Sequence, residues 1–337
     1  MEPWFGYILC AMACYGGIDF LQKAAALADS PSRLVVRTTA IVVACMSLIA
    51  VIITGSSFAT IEDILVYAGI NSTFFAIGSM ARITALKKIP AAYVFPVTKT
   101  SAVLLILISV IFFGDAPTLW QWTGIILSVA LVILVARGIS RPGSSHENER
   151  FPHAHRLTGF VLALVSASCT TITILAGKFA STRAPHLSYM LVSYSLVVVH
   201  TILIERLFFR TSSDGDQAGA NAGGDPVING DVAIAAGQCN EGSAMEKKIR
   251  FWERHPDQAC RTRRAIFFGG GIGALNFFGY LAVLSAFADG PLALIQGISS
   301  TSFVIPILLS ALVFGEKLDK RKTAIVAMAV VSVILQH

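Results

Sequence analysis

The sequence predicts an all-α membrane protein with ten transmembrane helices arranged as two inverted five-helix repeats. Three observations carry that expectation: a composition too apolar for water, ten apolar segments of spanning length, and an internal duplication. Of 337 residues, 55% are hydrophobic and 14% are charged, and the mean hydropathy is +0.70. A soluble domain carries about 25% charged residues, so a soluble domain is excluded, as are disorder, collagen and coiled coil. The alternating ten-residue strands of a membrane barrel are absent. A helix satisfies its own backbone hydrogen bonds in lipid and crosses the hydrocarbon core with about 20 apolar residues.

In chain order the segments are 4–26, 34–53, 64–86, 91–113, 120–136, 157–177, 187–208, 265–288, 291–313 and 322–336, the last being short. The first follows Met1-Glu2-Pro3-Trp4. It has neither the basic n-region nor the small-residue cleavage site of a secretory signal, so it reads as a retained helix. The eighth carries Gly269-Gly270-Gly271 and Gly273, a GxxxG suited to close helix packing or a gating bend. Most connections are short. A polar linker at 139–156 separates a first repeat at 1–138 from a second at 157–337. The second repeat contains a hydrophilic loop at 210–264, Gly-, Asn- and Asp-rich and then basic, which reads as flexible and solvated.

Charge sets the expected orientation. Twenty-one of the 26 Lys and Arg residues fall in or beside the five connections that join segments 1–2, 3–4, 5–6, 7–8 and 9–10. The opposite face holds only Arg183, and Lys23, Arg82, Lys99 and Lys178 lie inside segments. Basic loops stay cytoplasmic. The basic loops, 210–264 included, are therefore expected inside the plasma (inner) membrane, with both termini outside. The formal net charge of +6 is then an orientation signal and not a nucleic-acid footprint.

The duplication appears when the chain is slid by 201 residues. Residues 85–115 then meet residues 286–316 with 11 of 31 positions identical. Asp115 falls against Glu316 at the end of that match. The first helices align at a shift of 155, Lys23 meeting Lys178. Each half has an odd number of helices, so the second enters the membrane from the opposite side. Inverted halves are the architecture of alternating-access transporters.

At these motifs the chain resembles the drug/metabolite transporter superfamily. The carriers are Ala85-Leu86 with Pro90-Ala91, then Phe95-Pro96 and Phe113-Gly114-Asp115. In the second half they are Ala286, Pro291, Pro306 and Phe314-Gly315-Glu316-Lys317-Leu318. A first-helix lysine followed by a proline, Lys23/Pro31 and Lys178/Pro185, also fits. The resemblance implies a ten-helix permease for small organic solutes, driven by exchange or an ion gradient, with helices four and nine lining a central cavity. Many members keep both termini inside, the reverse of the orientation read from charge here.

An ionisable side chain at mid-bilayer costs at least about 2.5–3.5 kcal/mol, which makes it a functional candidate. Lys99 is the foremost one. It sits about 13 Å along helix four at 1.5 Å per residue, after Phe95-Pro96, and its repeat mate is Ser300. Lys23 and Lys178, near helix ends, read as coupling or structural charges that either snorkel to the interface or share a task. Asp19, four residues before Lys23, can pair with it on one helix face or serve as a coupling acid. Arg82, beside a basic loop, reads as snorkelling. The uncharged substrate-binding candidates are Asn71, Tyr93, Thr98, Asn276, Tyr280 and Gln296. Asp115 and Glu316 read as loop-ordering residues.

The six cysteines form no CxxC pair. No GxSxG, Walker loop or HExxH occurs, so no catalytic residue, metal or cofactor is expected and an enzyme is disfavoured. The expected function is secondary-active transport of a small organic metabolite by alternating access. Lys99 favours an anionic solute bearing a carboxylate or phosphate. The alternatives are a proton-coupled drug or cation exporter using Asp19, and a non-transporting membrane scaffold. The expected partners are the small-molecule substrate, the lipid bilayer and a coupling ion (H+ or Na+), with the chain a monomer or homodimer.

Overall fold

The computed structural model describes residues 2–58, 60–89, 91–139, 153–220, 258–306, 308–309 and 320–336. Among them run α1 (Pro3–Leu27), α2 (Ser32–Thr54), α3 (Ile61–Lys88), α4 (Ala91–Ile108), α5 (Leu119–Ile139), α6 (His153–Arg183), α7 (His186–Ala220), α8 (Gln258–Asp289), α9 (Leu292–Ser300) and α10 (Lys320–Leu335). Six of these are long and apolar enough to cross a membrane: α1, α2, α3, and the apolar stretches of α6, α7 and α8. Shorter apolar helices run over Val97–Phe113, Leu119–Leu131, Leu292–Pro306 and Thr323–Leu335.

Four boundaries differ from the expected segments. The fourth segment is not one α-helix to residue 113: a π-helical turn, Ser109–Phe113, closes it. The sixth begins four residues early at His153, because an apolar-length criterion leaves out a polar first turn. The seventh runs to Ala220, and α8 starts at Gln258. Both ends of the 210–264 stretch are thus helical, while 221–257 lies outside the described residues, as do 140–152 and the Phe314–Leu318 motif.

The apolar surface faces outward as well as inward. Ile53, Phe112, Leu119 and Phe267 are each 71–84% exposed, a surface that an aqueous protein would bury and a bilayer would cover. The interior is built from matched pairs. α3 packs along α6 and α1 along α8, while α2 meets α7, α4 meets α9 and α5 meets α10. These are the pairings that a two-fold relation between the first five and last five helices requires. The junctions agree with it in detail. Ile89 N–H bonds the Ala85 carbonyl at 2.9 Å at the end of α3, and Gly290 N–H bonds the Ala286 carbonyl at 2.8 Å at the end of α8. Val35 N–H bonds the Pro31 carbonyl at 3.1 Å where α2 begins, and Tyr189 N–H bonds the Pro185 carbonyl at 3.0 Å where α7 begins. Proline starts these helices because its missing N–H and fixed φ cost nothing there.

The GxxxG of α8 packs within the molecule. A Cβ on Gly269 would stand 2.7 Å from Thr38 Cβ and 2.8 Å from the Val35 oxygen. One on Gly273 would stand 2.8 Å from Val42 Cβ and 2.9 Å from the Thr39 oxygen. Glycine at both places lets α2 and α8 touch backbone to backbone, and Thr39 donates to the Gly269 carbonyl at 3.2 Å.

Candidate functional site: a charged cavity between the halves

The matched helices leave a cavity of about 170 Å³ at the centre of the bundle. Its walls follow helical spacing. α1 contributes Tyr15, Ile18, Asp19 and Gln22; α3 contributes Phe75, Gly78, Ser79 and Arg82; α8 contributes Ile272, Asn276, Tyr280 and Val283. Residues three or four apart share a helix face, so each helix presents one stripe inward.

The stripes bring three charges together. Asp19 is 3% exposed. Arg82 Nη1 donates to Asp19 Oδ1 at 3.4 Å, and Lys99 Nζ stands 3.7 Å from Asp19 Oδ2. Lys99 Nζ also donates to Ser302 Oγ at 2.7 Å, and Arg82 Nη2 donates to Thr170 Oγ1 at 3.4 Å. Ser302 belongs to a 3-10 turn, Thr301–Phe303, that follows α9. Helix nine therefore tightens from α to 3-10 geometry beside the charges. A 3-10 stretch inside a helix often marks a functional site. The ionic contacts are long, and several buried polar atoms on the wall have no hydrogen-bond partner: Asp19 Oδ2, Gln22 Oε1, Arg82 Nε and Thr173 Oγ1. Such atoms cost free energy unless a partner arrives.

Two sequence expectations are corrected here. Asp19 does not pair with Lys23 on its own helix; its carboxylate faces Arg82 and Lys99 from α3 and α4. Arg82 does not snorkel. It lies six residues before the end of α3 but on the inward stripe, where Asp19 offers a countercharge that the interface does not.

The other candidates divide. Thr98, Asn276, Tyr280 and Gln296 line the cavity with Lys99 and Asp19. Asn71 is fully buried behind the wall. It donates to Ser193 Oγ at 2.5 Å and accepts from the Tyr280 hydroxyl at 3.2 Å. Tyr93 is on α4, its side chain lying outside the described residues. Lys23 is not on the wall. Lys178 is not either: its ammonium donates to the carbonyls of Phe287 at 2.5 Å and Gly290 at 3.1 Å, at the end of α8. Asp115, expected to order a loop, accepts from Ala293 N–H at 3.1 Å in the first turn of α9 and from the Ser109 hydroxyl.

Sequence reasoning missed Arg82, Gln22, Tyr15, Thr170 and Thr173 as wall residues. The signal was present in part: Phe75, Gly78, Ser79 and Arg82 recur at helical spacing, as do Tyr15, Asp19 and Gln22. Among the described residues no cluster of three His, Cys, Asp or Glu gathers to hold a metal.

Comparison with known proteins decides the family. The model of the EamA-like transporter family matches residues 3–137 and 249–336. The chain belongs to the EamA-like transporter family. That family is part of the drug/metabolite transporter superfamily, so the resemblance read from the motifs holds and the chain is a membrane transporter of that type. None of the curated proteins matches it. A crystal structure of a protein 14% identical in sequence covers 98% of this chain and 98% of its own, with a TM-score of 0.63; the likeness is one of fold.

Proposed function

We propose that this EamA-like chain is a secondary-active transporter that carries a small organic anion, bearing a carboxylate or phosphate, by alternating access between two inverted five-helix halves. One observation supports the substrate class: the cavity wall sets two cations, Arg82 and Lys99, against a single carboxylate, Asp19. The wall keeps a net positive charge that a bound monoanion neutralises. Guanidinium binds carboxylate and phosphate in a bidentate manner, and charge-assisted hydrogen bonds are the stronger kind. The buried Arg82 Nε without a partner is a donor left over for such a ligand. The cation-exporter reading has less support, because Asp19 already faces two cations.

The proposal retains ten spans, with the basic connections cytoplasmic and both termini outside the plasma membrane. Several of those connections meet at one end of the bundle. Arg33 and Arg37 reach Glu205 at 3.3 and 3.4 Å, Lys87 reaches Asp29 at 3.0 Å, and Arg261 also pairs with Asp29. Labelling Cys239 with a membrane-impermeant thiol reagent tests the orientation: labelling in intact cells overturns it.

The substrate class is tested by thermal stability of the purified chain with carboxylates, phosphate esters and organic cations in turn. Ligand binding stabilises by mass action, about 2.7 kcal/mol at a hundred times Kd. The expected result is a rise in Tm with an anion that Lys99→Ala and Arg82→Ala abolish. Stabilisation by cations alone contradicts the proposal.

A further inference from the structure

The four in-segment cations are not used alike. Arg82 and Lys99 face the cavity, whereas Lys178 from α6 serves the junction between α8 and α9. There it satisfies two carbonyls at the end of α8, Phe287 and Gly290, while Asp115 takes the Ala293 N–H that opens α9. A helix end leaves its last carbonyls and the next helix leaves its first N–H groups without intrahelical partners. In an apolar bundle each of these is costly unless paired. A cation at a helix C-terminus also meets the negative end of the helix dipole. The α8–α9 junction is thus clamped from both sides.

The first half carries the same parts. Lys23 on α1 is the repeat mate of Lys178, and Leu86 and Ile89 at the end of α3 are the mates of Phe287 and Gly290. The backbone of the two junctions matches, with Ile89 N–H to Ala85 and Gly290 N–H to Ala286. α1 packs on α3 as α6 packs on α8. Yet among the described residues Lys23 makes no hydrogen bond or ion pair. One junction has its lysine engaged and the other does not. In a pair of inverted halves such an asymmetry marks which of two mirror-related states is seen, since each half takes the other's conformation when the site changes sides.

We propose that Lys23 and Lys178 are alternating junction clamps. In the state seen here Lys178 holds the α8–α9 junction and Lys23 is idle. In the opposite-facing state Lys23 takes the Leu86 and Ile89 carbonyls at the α3–α4 junction, and Lys178 lets go. Both lysines are positioning residues that set the balance between states without touching the solute. The inference rests on the alternating-access reading and not on the substrate class.

Hydrogen–deuterium exchange of the purified full-length chain tests it, read at segments 287–295 and 86–94. Removing a charged hydrogen-bonding group costs enough to change local exchange on the order of tenfold. In Lys178→Ala, exchange at 287–295 is expected to rise by that factor and exchange at 86–94 to fall, as Lys23 engages. Lys178→Arg restores both. Adding Lys23→Ala to Lys178→Ala abolishes the protection gained at 86–94. A purely local role for Lys178 loosens 287–295 and leaves 86–94 unchanged, which overturns the proposal. So does protection at 86–94 that survives in the double variant. Where Lys178→Ala does not assemble, Lys23→Ala decides alone: 287–295 becomes several-fold more protected, and no change there overturns the proposal. Loss of the clamp in these readings leaves anion binding to the cavity standing, and failure of every anion to stabilise the chain leaves the clamp standing.

Discussion

The charge of single residues explains the cavity. Asp19, at 5% side-chain exposure, is held between Arg82 and Lys99. Removing one member of a buried ionic group strands the others, at a cost of about 3–5 kcal/mol. Asp19→Ala is therefore expected to lower Tm by several degrees in a denaturation scan, and an added anion to recover part of the loss by taking the vacated place. Asp19→Asn keeps the shape and removes the competing carboxylate, so anions are expected to stabilise it more strongly than wild type at the same concentration. Lys99 was legible from sequence because a lysine near the middle of an apolar segment has no other obvious reason to be there. Arg82 was not, because its nearness to Lys87 and Lys88 along the chain resembles a helix end. Only the α1 stripe that carries Asp19, packed across the cavity, distinguishes an inward arginine from a snorkelling one.

At the scale of elements, the helices were legible from apolar length, and their interruptions were not. Hydropathy sees Ser109–Phe113 and Thr301–Phe303 as apolar runs like any other, yet one is a π turn and the other a 3-10 turn. Side-chain contacts accompany both turns: Asp115 accepts from Ser109 six residues back, and Ser302 accepts from Lys99 on α4. The glycine motif was legible as close packing, and its partner, α2, was not. Because the missing Cβ atoms of Gly269 and Gly273 would stand within 3 Å of α2, substitution forces the helices apart. Gly273→Val is expected to cost about 1–3 kcal/mol, the usual range for overpacking, read as a lower Tm. At Gly270, where nothing lies within 4 Å, alanine is expected to be neutral. Asn71→Ala leaves Ser193 and the Tyr280 hydroxyl each short of a partner, at an expected cost of about 1–3 kcal/mol in the same measurement.

For the whole molecule, the duplication was the most informative feature of the sequence. A 201-residue shift lays the α3–α4 junction on the α8–α9 junction, and the same backbone bond closes the helix before each, Ile89 N–H to Ala85 and Gly290 N–H to Ala286. The pairing of α1 with α8 and α3 with α6 agrees with that duplication but could not be read from it, since a repeat does not say which faces meet. The hydrophilic stretch 221–257 has no counterpart of that length in the first half of the repeat. Replacing it with a short Gly-Ser linker is expected to preserve transport; loss of activity in a folded variant would favour a scaffold whose handle is that loop. The most direct test is counterflow in proteoliposomes, loaded with the unlabelled anion that stabilises the chain most and supplied with the same anion labelled outside. The expected result is exchange of label above empty liposomes in wild type and its loss in Lys99→Ala. No exchange in wild type, or equal exchange in the variant, would contradict anion transport through this cavity.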